Sequence, residues 1–216
     1  MEQIYITKKA CLRHPSEQIN KIMKKLLLPI ALFLTLQSYA KMDLFKVEKQ
    51  KYEVVFKGKG FEIRHYPSVI LATYYSKAKK YKELSSPGFS KIAGYIFGNN
   101  ESKSKIAMTS PVHMDMNSET SSMSFVMPSE YDVNNLPKPS SSEVKIHKSE
   151  NEFVAVVSFG GYANDQVINQ QTEKLNTLLK NNNIKVIGKY RLLGYNAPFQ
   201  FWGRTNEVIV AVEWKK

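Results

Sequence analysis

From about residue 52 onward the chain alternates short apolar runs with turn residues, and twice it switches from the two-residue repeat of strands to the helical repeat. Residues 52–56, 60–66 and 69–77 are rich in Val, Ile, Tyr and Phe and are broken by Gly58, Gly60 and Pro67, so they predict hairpin strands. Ser86-Pro87 then offers an N-cap followed by a proline at the first helical position. Phe89, Ile92, Ala93, Ile96 and Phe97 follow at the spacing of one apolar helix face, which Gly98-Asn99-Asn100 ends. Residues 105–116 and 122–128 predict a second pair of strands. After a Pro/Ser-rich break at 137–142 the order recurs: strands at 143–149 and 152–161, a helix over 164–181, and strands at 187–195 and 206–214. Ile168, Leu175, Leu178 and Leu179 supply the apolar face of that helix.

The pattern predicts an α+β fold of two ββαββ halves, about 52–128 and 143–214. Their strands would form a distorted antiparallel barrel or a curved sheet flanked by two helices. No sequence identity links the halves, so the repeat rests on element order alone.

The first forty residues follow a different pattern. Met23-Lys24-Lys25 precedes an apolar run from Leu26 to Leu36, and Ser38 and Ala40 are small residues before Lys41. A basic start, a short apolar stretch and a small-x-small ending are the parts of an export signal. The run is too short to span a bilayer comfortably. The expectation is a signal peptide at 23–40, a mature domain at 41–216 in the periplasm or outside the cell, and no membrane span after cleavage. Residues 1–22 form a polar leader unusual for such a signal, which fits a translation start at Met23.

Cleavage changes the charge and the available chemistry. The chain carries a net charge of +12, and its first forty residues hold six basic and two acidic side chains, leaving +8 for residues 41–216. Cys11, the only cysteine, leaves with the leader. Disulfides and thiolate chemistry are thereby excluded for the mature domain, which at about 175 residues is large enough to fold on its own core. A basic domain suits an anionic partner or an envelope surface. No basic cluster is dense enough to argue nucleic acid, and nothing in the pattern argues against a monomer.

Three histidines remain after export, and strand alternation sorts them. His65 shares a face with Phe61 and Ile63. His147 falls with Glu143, Lys145 and Ser149, and His113 with Lys105, Thr109 and Asp115, both on polar sides. His65 is therefore the histidine placed to be either a packing residue or an axial metal ligand. Glu207 is an isolated carboxylate that reads as acid/base or structural. Met108, Met114, Met116, Met123 and Met127 occupy one hairpin, as core packing or as the lining of an apolar pocket. No nucleophile elbow, close histidine pair or phosphate loop occurs, so no enzyme is predicted.

Five stretches, in order, carry a family resemblance: Phe61-Glu62-Ile63-Arg64-His65-Tyr66, residues Lys105 to Val112, Phe125 to Ser129, Phe159-Gly160-Gly161-Tyr162, and Gly194 to Pro198 leading to Arg204-Thr205-Asn206-Glu207-Val208. They resemble signature stretches of the SOUL haem-binding family and cover essentially all of 52–214. The resemblance implies two ββαββ halves and reversible, non-covalent binding of haem or another porphyrin. It places the ligand in an apolar groove by the first helix and the loop of the last hairpin. Carried onto this chain, that selects Phe89, Ile92, Ala93 and Ile96, with Phe199 and Trp202 opposite, and puts His65 where one branch has a proposed iron ligand. Another branch has basic residues that can meet the propionates; here those positions are Ser86, Gly94 and Gln200, leaving Lys91, Arg191 or Arg204 as substitutes. The implied function is an exported haem carrier, buffer or scavenger. The alternatives are a module for other hydrophobic or amphiphilic molecules, since the architecture also resembles effector-binding domains of multidrug-responsive regulators, or an envelope interaction protein without a cofactor.

Overall fold

The structure is a computed structural model that describes residues 47–116 and 119–215. The expected leader at 1–22, the expected signal at 23–40 and the expected cleavage before Lys41 fall on residues outside those described. Val47–Lys216 forms one compact unit.

Its elements in chain order are β1 (Glu48–Lys49), β2 (Glu53–Gly58), β3 (Phe61–Tyr66), β4 (Ile70–Ser76), α1 (Tyr81–Ile96), β5 (Thr109–Ser110), β6 (Val112–Asp115) and β7 (Ser121–Val126). The second part continues with β8 (Val144–Lys148), β9 (Glu152–Gly160), α2 (Asp165–Asn181), β10 (Val186–Gly194) and β11 (Thr205–Val212). Nine strands make one antiparallel sheet in the order β2-β3-β9-β11-β10-β6-β7-β4-β8. The sheet is open, with β2 and β8 at its edges, so of the two anticipated forms the unclosed one is found. With β2 set aside, β3, β9, β11 and β10 on one side answer β8, β4, β7 and β6 on the other.

Strand boundaries agree with the two-residue pattern almost everywhere. The exceptions are Glu48–Lys49, a short strand ahead of the first one anticipated, and 105–116, where only Thr109–Ser110 and Val112–Asp115 are strand, separated by a cis Ser110–Pro111 bond. Asn100 explains the loop before it, since its side-chain amide donates to the carbonyls of Tyr95 and Ser104 and draws the chain back on itself.

The helices differ in how their starts are set. α2 begins as predicted, the Asn164 side chain accepting from the Val167 N–H as an N-cap. α1 begins at Tyr81, five residues before the anticipated Ser86 cap, and Pro87 sits inside it. Its start depends on partners that local sequence does not reveal. Glu83 accepts from the Lys79 N–H, and Asp165 of α2 accepts from the Tyr81 N–H at 2.7 Å. Two carboxylates at the positive end of a helix supply what the missing cap residue does not.

Both helices cover one face of the sheet. Leu84, Ile92, Tyr95 and Ile96 from α1 and Leu175 and Leu179 from α2 are buried against Ile63, Met123, Phe125, Ala155, Leu192 and Val210. Gly88 lets α1 lie close: a Cβ there would stand 3.0 Å from the Met123 Cβ. On the opposite face a smaller cluster of Tyr66, Val154, Val156, Leu193 and Ile209 surrounds a buried ion pair. Arg64 and Glu207, each 5% exposed, meet through two hydrogen bonds of 2.9 and 3.0 Å. Arg64 Nε also donates to Glu62, and its guanidinium lies 4.2 Å from the Tyr52 ring centroid. Glu207 further accepts from the hydroxyls of Ser158 and Tyr195. With its lone pairs so occupied, Glu207 is structural, and it closes the choice that the sequence leaves open.

Removing one partner strands the other charge in a desolvated site. Glu207→Gln should therefore lower the unfolding free energy by about 3 kcal/mol or more in urea denaturation. Replacing both partners, as Arg64→Met/Glu207→Leu, should recover part of that loss.

Candidate ligand cavity

A cavity of about 670 Å³ opens between α1 and the sheet, within the size range of small-molecule sites. Tyr81, Ser85, Phe89 and Ala93 recur every fourth residue along α1 and form its helical wall, with Ser86, Ser90 and Gly94 beside them. Small side chains make the space: nothing lies within 4 Å of a Cβ built on Gly94. Val112, Met114, Met123 and Gly194 form the sheet wall. The rim comes from the β10–β11 connection, through Asn196, Pro198 and Arg204, and from Asn206.

Arg204 is the one charged side chain among the lining residues. Its Nη1 donates to the carbonyls of Ala197 and Gln200 at 3.0 and 2.8 Å, which folds the connection into a compact loop. Its guanidinium lies 4.8 Å from the Tyr162 ring centroid. Its Nε is buried and has no hydrogen-bond partner among the described residues. Burial raises the Tyr81 pKa, opposed by the charge of Arg204, so the phenol stays neutral at physiological pH.

The residues selected from sequence are only partly brought together here. Phe89 and Ala93 line the cavity, as do Ser86 and Gly94. Ile92 and Ile96 turn into the core and are fully buried. Phe199 and Trp202 lie on the rim loop with their side chains in solvent, 77% and 78% exposed, and Gln200 donates to the Trp202 carbonyl. Of the substitute cations, Arg204 lines the cavity, whereas Lys91 is paired with Glu143 and Arg191 with Glu152. His65 is elsewhere: it lies on β3, with β9, β11 and β10 between that strand and β6, and its ring stacks on Phe153 at 4.9 Å.

Tyr81, Ser85 and Ser90 escape a sequence reading that starts α1 at Ser86, and the polar face of the helix carries no apolar signal. The methionine hairpin did carry one. Met114 and Met123 line the cavity, while Met127 is buried in the core. Among the described residues, no group of three or more His, Cys, Asp or Glu side chains could hold a metal ion. No described helix is long and apolar enough to cross a membrane.

His113, expected on a solvated side, is buried beside the sheet wall. Alternation placed it correctly opposite Met114, but its face is covered by the segment carrying Gln50, whose Oε1 lies 2.7 Å from Nε2. An amide oxygen only accepts, so Nε2 carries the hydrogen of a neutral ring. Burial, reinforced by the charge of Arg191, pushes its pKa down to about 3 from an ordinary 6.5.

Sequence comparison and fold comparison converge. The family model described as SOUL heme-binding protein matches residues 47–211. Heme-binding protein 2 of Mus musculus is 32% identical over 157 residues, 68% of this chain and 76% of that protein. Heme-binding protein 1 of Xenopus laevis is 27% identical over 173 residues, 75% of this chain and 90% of that protein. Among solved structures, the EcmrR C-terminal domain aligns with a TM-score of 0.57 at 9% identity, covering 75% of this chain and 98% of that one. A hydrolase from Listeria innocua aligns at 0.51 and 10% identity, covering 80% and 97%. These two likenesses concern the fold alone.

A depressed histidine pKa favours proton uptake by the unfolded chain, so His113 should cost stability as pH falls from 6.5 toward 3. The part owed to this one group is about 2 kcal/mol between roughly pH 7 and pH 5. Urea denaturation at both pH values should show a smaller loss for His113→Gln than for the parent.

Proposed function

The chain belongs to the SOUL haem-binding family, and from that premise we propose that it binds haem or another tetrapyrrole non-covalently, as an exported carrier, buffer or scavenger without catalysis of its own. The observation that carries this reading is the α1 cavity: an apolar slot of suitable volume with a single guanidinium at its rim and no carboxylate in its lining. A bound haem supplies a redox-active iron and a Soret absorption; the protein supplies the slot. Phe89, Ala93, Met114, Met123 and Pro198 would take the macrocycle between helix and sheet. Arg204, the charged residue of the lining, would receive a propionate in place of the uncharged Ser86, Gly94 and Gln200. Phe199 and Trp202 would stand at the mouth, and Ile92 and Ile96 would back the helical wall from the core.

Axial ligation by His65 is a separate proposal, and the cavity supports binding without it, because no histidine is among the lining residues. The signal-like segment at 23–40 supports the export part of this reading. The mirrored order of strands supports reading the domain as an internal duplication.

Titrating residues 41–216 with haemin should shift the Soret band saturably at one equivalent. Gly94→Phe fills open space rather than core, so it should keep the fold and weaken haemin binding at least about tenfold, the effect of some 1.4 kcal/mol. A changed bound spectrum in His65→Ala would support axial ligation by His65, whereas an unchanged one would rule out ligation and leave cavity binding standing. Saturable binding of unrelated hydrophobic dyes with no Soret shift would instead favour a module for other amphiphiles.

A further inference from the structure

Two exposed features flank one end of the cavity, and neither is needed to close it. The first is aromatic. Phe199, Phe201 and Trp202 on the rim loop are 77%, 71% and 78% exposed, and Tyr162 stands half-exposed beneath the Arg204 guanidinium. This is not a loop lacking internal structure. The Gln200 N–H donates to the Ala197 carbonyl, and Arg204 holds the carbonyls of Ala197 and Gln200. The loop's shape is thus set without its aromatic side chains, which are left facing water. Large apolar groups gathered in solvent mark an interaction surface.

The second feature is cationic. Lys77, Lys79, Lys80 and Lys82 are all exposed, and none enters an ion pair among the described residues. They lead directly into Tyr81, the first residue of α1 and a lining residue of the cavity. Three contacts link the start of α1, into which this run leads, to the base of the aromatic loop through the segment 161–165. Asp165 accepts from the Tyr81 N–H, the neighbouring Tyr162 stacks on Arg204, and Asn206 donates to the Gly161 carbonyl. The nearby acids, Glu83 and Asp165, are both engaged with backbone N–H groups of this region.

We propose that this end of the molecule docks on an anionic lipid bilayer, with Phe199, Phe201 and Trp202 entering the interface and the lysine run facing the head groups. Aromatic side chains on a defined loop suit the boundary between acyl chains and water. Hydrated ammonium groups on flexible stems suit a diffuse negative surface. A second copy of the chain is a poorer occupant. A two-fold contact through the same patch would set both lysine runs against each other. Docking in this orientation turns the cavity mouth toward the bilayer, so an apolar ligand could pass between lipid and protein without crossing water.

The experiment uses residues 41–216 with Trp214→Phe, which leaves Trp202 as the sole tryptophan. Phosphatidylcholine vesicles with and without phosphatidylglycerol are added, and no haem is present. Failure here therefore leaves haem binding standing, and failure of haem binding leaves this proposal standing. The expected result is a blue shift of Trp202 emission, quenching by brominated acyl chains, and about tenfold weaker binding to the neutral vesicles or in high salt. Phe199→Ser/Phe201→Ser should abolish the blue shift with the circular dichroism unchanged. Lys77→Gln/Lys79→Gln/Lys80→Gln/Lys82→Gln should remove the preference for anionic lipid. Trp202 emission indifferent to brominated vesicles would overturn the proposal. So would a lipid-free dimer in sedimentation equilibrium that buries Trp202.

Discussion

The buried pairing of Arg64 with Glu207 is the constraint on which the cavity's geometry rests. It joins β3 to β11 across the intervening β9, linking an early strand to the last one. Glu207 also accepts from Tyr195, so the same carboxylate clamps both stalks of the loop that forms the rim. Asn196 and Asn206, next to these two residues in sequence, are lining residues. An ion pair taken out of water gains little over a well-packed apolar pair in net stability. Its directional bonds can fix where a loop begins and ends, and here that fixes the cavity's mouth.

The pair also gives a physical reason for two of the sequence motifs. Arg64 and Tyr66 lie in the first stretch and Glu207 in the last, and they meet on the face turned away from the helices. The motif histidine at 65 alternates to the opposite face, where it stacks on Phe153. Family motifs here report the framework at least as much as the ligand.

Legibility from sequence followed the range of the forces involved. Strands set by two-residue alternation were readable, and so was α2, whose cap lies in its own sequence at Asn164. The start of α1 was not, because Asp165, far along the chain, satisfies its first N–H. His113 was misplaced for the same kind of reason. Alternation gives the side of a sheet, but the cover over that side comes from Gln50, which no periodicity reveals. The cavity was half legible: Phe89 and Ala93 stand out as apolar, whereas the serines and Gly94 act by being small. Space is an absence of side chain, and hydrophobic patterning does not register it.

The open sheet has a consequence for how the protein coexists with its own copies. A closed barrel has no free strand edges, whereas β2 and β8 here offer unpaired backbone that another strand could extend. Each edge is guarded. β2 carries Lys57 and breaks register between Val54 and Phe56, and β8 interrupts its apolar residues with Lys145 and Lys148. Such charges and bulges oppose edge-to-edge growth into fibrils. The basic character of the domain thus also acts as protection against aggregation, independent of any ligand.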